Sequence, residues 1–60
     1  MKFKVGDFVR KVGGSYEANG NIVAAFVTTA GKERYVFEFH EPEGMLHIFT
    51  PDQLELQERF

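Results

Sequence analysis

The sequence predicts an all-β fold: a small barrel of about five short strands, with one helical turn before the last. Three observations carry this. Runs of β-branched and aromatic residues alternate with turn signals at short intervals. The chain has 60 residues, which is one domain, 1–60, with no room for a second core. A single helix-start signal, Thr50-Pro51-Asp52, stands near the end.

The elements follow in order. Gly6-Asp7 is a turn that opens a strand from Phe8 to Val12, with Val9 on one side and Phe8, Arg10 and Val12 on the other. The stretch GGSYEANG reads as loop, in which Gly13, Gly14, Asn19 and Gly20 suit positive φ angles. NIVAAFVTT is the second strand, with Ile22, Ala24 and Phe26 on one face and Val23, Ala25 and Val27 on the other. Its alanines mark a close approach to a neighbouring strand or another subunit. AGKE is a turn. RYVFEFH alternates cleanly, which places Tyr35, Phe37 and Phe39 in the core and Arg34, Val36, Glu38 and His40 toward solvent. EPEG is a turn built on Gly44, and the fourth strand, MLHIF, follows. Thr50 then caps a turn of 3₁₀ or α-helix, a short last strand spans Leu54 to Leu56, and residues 57–60 are expected to fray. A long first loop, four or five strands and this late helical turn make an SH3-like barrel.

Composition narrows the function classes. A domain this small buries only about 60 % of the surface its unfolded chain exposes, so it needs reinforcement. There is no cysteine, which excludes disulfides and thiolate metal sites and fits a cytoplasmic protein. His40 and His47, alone on predicted strands, make a poor metal set. Self-association remains, and seven Phe and two Tyr are many for so small an interior. The formal net charge of −2 argues against a general nucleic-acid or membrane-surface binder. No apolar run approaches the roughly 20 residues that span a bilayer, and the start, Met1-Lys2-Phe3-Lys4, does not read as a signal peptide.

The fourth strand poses the functional question. Leu46 and Ile48 point one way, Met45, His47 and Phe49 the other, and both sets are largely apolar. A core this small claims one face. The set containing the histidine is expected to be the wet, shared one, and Leu46 and Ile48 the buried one.

At this point the chain resembles the plasmid-encoded type II dihydrofolate reductases. The resemblance starts at GDFVRK (Gly6 to Lys11). After one length change in the Gly-rich loop it runs from GNIV to QLE, about 50 residues of the 60. Its marks are Ile22-Val23, Phe26, Thr28, Tyr35, Glu38, Gly44, the quartet Leu46-His47-Ile48-Phe49, and Leu54-Glu55. No single motif is specific; their order and spacing carry the likeness. The resemblance implies a homotetramer of SH3-like barrels around one pore, where NADPH and dihydrofolate meet and hydride passes with no side chain as proton donor. It implies that Lys11 sits at the pore mouth and attracts anionic ligand tails, and that Leu46, His47, Ile48 and Phe49 line the wall. His47 stands where the family has Gln, and Phe49 where it has Tyr. Neutral His keeps one donor and one acceptor, whereas Phe49 has lost a hydroxyl. Ala25 replaces a large aromatic at a subunit contact.

Each candidate also has a plainer reading. His47 would be a satisfied structural group, Lys11 a solvated strand-end cation, and Leu46, Ile48 and Phe49 packing residues. Ile48 has a further role open to it through its backbone, since a strand edge offers N–H and C=O groups to a flat amide. Asp7, Glu38, Asp52 and Glu55 form no convincing acid/base pair, and the Gly-rich loop lacks the helix and Lys-Ser/Thr pair of a phosphate loop. The alternative to the reductase is a non-catalytic SH3-like binding module, a phage or mobile-element accessory protein with its ligand along the Gly-rich loop, Tyr16 and Phe8.

Overall fold

The computed structural model describes residues 1–57. It contains β1 (Phe8–Lys11), β2 (Ala18–Val27), β3 (Glu33–Phe39), β4 (Leu46–Phe49), a 3₁₀ turn (Pro51–Gln53) and β5 (Leu54–Leu56). All pairings are antiparallel, in the order β4-β3-β2-β1-β5. β4 and β5 lie at opposite edges of this sheet, yet only the segment from Thr50 to Gln53 joins them. The sheet therefore curls until its edges approach, which is the SH3-like barrel the sequence predicts. At the joint, the Thr50 backbone N–H donates to Gln53 Oε1 at 2.9 Å and Pro51 occupies the first turn.

The core is Phe3, Val9, Ile22, Tyr35, Phe37, Phe39, Phe49 and Leu54. β3 supplies its centre, and the expected alternation holds: Tyr35, Phe37 and Phe39 point inward. Their rings meet edge to face, Phe37 against Phe39 at 4.9 Å and against Phe49 at 5.4 Å, the geometry that the ring quadrupole favours. Phe3 joins them from a segment with no strand pattern. Its ring sits edge-on to Tyr35 at 5.2 Å, and its N–H donates to Tyr35 Oη at 3.0 Å. The Tyr35 hydroxyl in turn donates to the Glu33 carboxylate, which also accepts the Lys2 N–H at 2.9 Å. The Tyr35 hydrogen bond, seconded by that of Lys2, holds the Glu33 carboxyl below its ordinary value. Burial, and then the bond to Glu33, pushes the Tyr35 phenol up.

Three local expectations are corrected. β2 begins at Ala18, so Asn19 and Gly20 belong to the strand, opposite Arg10 and Val9. Gly20 is needed for closeness rather than for positive φ: a Cβ there would stand 2.6 Å from the Phe37 ring and collide with the Glu38 carbonyl. Next, the β2–β3 register slips between Ile22 and Ala24. This bulge makes Val23 the extra residue and flips the faces beyond it. Ala25 thus packs on the core, while Ala24 and Phe26 do not share the face of Ile22. Finally, Gln57 is held rather than frayed, its N–H donating to the Phe8 carbonyl at 2.9 Å; residues 58–60 lie outside the described ones.

Candidate functional site

β4 places the candidate quartet at an edge of the sheet. Its register sets Phe49 opposite Tyr35 and His47 opposite Phe37. Directly opposed residues share a face, so Phe49 and His47 turn to the side of the core and Leu46 and Ile48 turn away from it. This reverses the expected assignment. Leu46 is 53 % and Ile48 60 % exposed, whereas Phe49 is 6 % exposed and packed on Phe37. In the single barrel Phe49 is therefore a core ring and not a wall that a ligand touches. His47 lies on the core side but at the open end of the barrel, where it stays exposed, its ring edge-on to Phe39 at 5.5 Å.

The outer face holds a row across three strands, Ala24, Val36 and Ile48, which the registers place side by side. Leu46 adjoins it. Val36, Leu46, His47 and Ile48 line a shallow, open depression of about 450 Å³. The strand edge adds polar groups. Phe39 N–H donates to the Met45 carbonyl, which makes Phe39–Met45 a hydrogen-bonded pair. Such pairs alternate along an antiparallel ladder, so 37–47 and 35–49 bond to β3 while 36–48 and 38–46 do not. The backbone N–H and C=O of Leu46 and Ile48 therefore face the outer side of β4, where no strand among the described residues pairs with it. Ile48 presents its side chain and its peptide groups to the same uncovered region.

Lys11 is not the solvated strand-end cation of the plainer reading, and it is enclosed rather than open to a ligand as the resemblance implies. The β1 alternation that buries Val9 also buries Lys11, which is 4 % exposed. Its ammonium donates to the carbonyls of Gly13 at 2.6 Å and Tyr16 at 3.2 Å and lies 4.2 Å from the centre of the Tyr16 ring. As folded, it does not reach the β4 surface or open solvent. Arg34 does belong to the outer face. It sits two residues from Val36 on β3, opposite Phe26, with Nη1 donating to the Glu33 carbonyl at 2.6 Å. The alternation of β3 already put Arg34 and Val36 opposite Tyr35 in the sequence; what was missing was the knowledge that β4 adds its apolar residues to that face.

The alternative ligand region is partly assembled. Tyr16 is exposed and stacks on Phe39 at 6.4 Å, while Phe8 stacks flat on His40 at 5.2 Å. His40 Nε2 is 2.6 Å from Asn21 Oδ1, and a second shallow depression is lined by Glu17, Ala18, Asn19, His40 and Glu41. Among the described residues no His/Cys/Asp/Glu cluster has metal-binding geometry, and no helix is long and apolar enough to cross a membrane. Asp7 is occupied by Lys4, whose backbone N–H and ammonium both donate to it, and those bonds hold its carboxyl below the ordinary value. No protein-family model matches the chain, and no curated protein sequence matches it.

Proposed function

We propose that the chain acts as a homotetramer whose copies close around the outer face of β4, and that the enclosed space binds NADPH and dihydrofolate side by side for hydride transfer. The observation that carries this reading is the uncovered outer face and free backbone edge of β4 at Leu46 and Ile48. One barrel offers only a shallow depression, too open to hold a ligand; several copies facing one another would make it a channel. The residues fit the ligands in kind. Val36, Leu46 and Ile48 supply an apolar wall for flat rings, and the Ile48 peptide groups suit a carboxamide. The His47 ring, turned to the core side of β4, lies off this wall.

Catalysis in such a site comes from holding two molecules in register rather than from a side-chain acid or base. NADPH supplies the hydride and water the accompanying proton. Attraction of the anionic ligand tails falls to Arg34, on the outer face, rather than to the enclosed Lys11. The test is NADPH oxidation that requires dihydrofolate and weakens as salt rises. Turnover with NADPH alone, or none with both, overturns the enzymatic reading. The exposed ring of Tyr16 favours the second reading, a binding module, and ligand-induced shifts confined to Tyr16, Phe8 and the loop would select it.

A further inference from the structure

Three side-chain carboxylates among the described residues are half-buried: Asp7, Glu33 and Glu38. Two of them are occupied. Asp7 accepts from the backbone N–H and the ammonium of Lys4. Glu33 accepts from the Tyr35 hydroxyl and the Lys2 N–H. Glu38 has neither a hydrogen bond nor an ion pair to its carboxylate among the described residues. Asn21, its neighbour across the β2 pairing, is engaged elsewhere. The Asn21 Nδ2 donates to the Asp7 carbonyl at 3.4 Å, and its Oδ1 stands 2.6 Å from His40 Nε2. A carboxylate drawn partly out of water with no donor against it is unfavourable, and a ligand that brings donors relieves it.

The place of Glu38 decides which donors reach it. β3 carries Arg34, Val36 and Glu38 on its outer face, so the apolar wall has a cation at one end and a carboxylate at the other. Leu46 stands directly opposite Glu38, in a pair without ladder bonds, where side chains are closest. Four residues of strand separate Arg34 from Glu38, roughly 13 Å. Arg34 donates to the Glu33 carbonyl and meets no carboxylate among the described residues. A ligand laid along β3 therefore meets a carboxylate, then an apolar middle at Val36 and Ile48, then a guanidinium.

On the reading of the β4 surface as a dihydrofolate site, we propose that Glu38 is the residue that recognises the pterin ring. The ring N3–H and 2-amino group lie side by side, and together they match the two oxygens of a carboxylate. The aminobenzoyl ring then crosses Val36 and Ile48, and the glutamyl tail ends at Arg34. The opposite placement sets the anionic tail against Glu38, like charge on like. The two charges thus give the folate one direction along the wall. Nicotinamide carries a single amide and no such pair of neighbouring donors, so Glu38 distinguishes the two ligands. It accepts hydrogen bonds and transfers no proton.

The test is calorimetric titration of dihydrofolate and, separately, NADPH into the parent and into Glu38→Gln. Gln keeps the shape of Glu but turns one acceptor into an N–H donor. The variant is expected to bind dihydrofolate about tenfold more weakly and NADPH within about twofold of the parent. A dihydrofolate analogue with hydrogen in place of the 2-amino group supplies a readout that a merely structural Glu38 does not move. The parent is expected to bind it about tenfold more weakly than dihydrofolate, and Glu38→Gln to bind the two nearly alike. Dihydrofolate binding that is unchanged in Glu38→Gln, or weakened only as much as NADPH binding, overturns the proposal and leaves the shared site standing. So does equal discrimination against the analogue by both proteins. A parent that takes up neither ligand overturns the dihydrofolate reading itself, and the role of Glu38 with it.

Discussion

Ile48→Glu tests the assembly proposed for this surface. In an isolated barrel Ile48 is 60 % exposed and its side chain points away from the core. A glutamate there changes the stability of the single barrel by no more than about 0.5 kcal/mol, the usual range for a surface site. In an assembly closed on β4 the arithmetic differs. Burying an Ile fully contributes about 1.5–3 kcal/mol, and the part still exposed makes that roughly 1–2 kcal/mol per copy. Four copies lose roughly 4–8 kcal/mol, which is about three to six decades in the association constant. A desolvated carboxylate adds to the loss. Sedimentation velocity at micromolar concentration reads the assembly, and urea denaturation of the variant reads the barrel. The expected outcome is a folded, dissociated chain. A variant that sediments like the parent would refute the shared surface, and one that is itself strongly destabilised would show that Ile48 belongs to the core.

Other substitutions probe the scaffold and its N-terminal latch. Gly20→Ala drives a methyl group into the Phe37 ring and the Glu38 carbonyl and is expected to cost about 1–3 kcal/mol; a urea midpoint unchanged from the parent contradicts the close approach. Tyr35→Phe strands the buried Phe3 N–H, an expected loss of about 1–2 kcal/mol, seen as a lower melting temperature. The Glu33 carboxyl is depressed on folding, so its contribution is present above its unfolded value, near the ordinary 4.5, and is lost as pH falls through the lower folded value. Melting temperature plotted against pH is therefore expected to fall on the acid side, and less steeply in Tyr35→Phe, which removes the largest cause of the depression. An equal slope in both proteins would contradict this. Arg34→Gln is expected to flatten the salt dependence of NADPH binding, and a slope unchanged by that substitution would remove Arg34 from the ligand path.

Period-two alternation made most of the fold legible. β3 states its inward set outright in Tyr35, Phe37 and Phe39, and Thr50-Pro51 marks the turn that joins the sheet edges. What alternation cannot specify is phase across an irregularity. The bulge at Val23 exchanges the faces of Ala24 and Ala25, and no residue there advertises it. The phase of β4 reads wrongly from the sequence for another reason: both its faces are apolar, so the lone histidine pointed to the wet face, and only pairing with β3 decides that Phe49 goes in and Ile48 out. Charge misled at Lys11. A lysine at a strand end ordinarily reaches solvent, but here the following glycines fold the chain back over it and bring two carbonyls and an aromatic ring to its ammonium. Phe3 escaped notice because its partner is a tyrosine hydroxyl distant in sequence, which leaves no periodic trace.

The most direct test is the mass of the unaltered protein in native buffer, with and without NADPH. A particle of four chains that takes up the dinucleotide is the predicted result. A single chain at micromolar concentration, unchanged by NADPH, would contradict the β4 assembly and the function built on it.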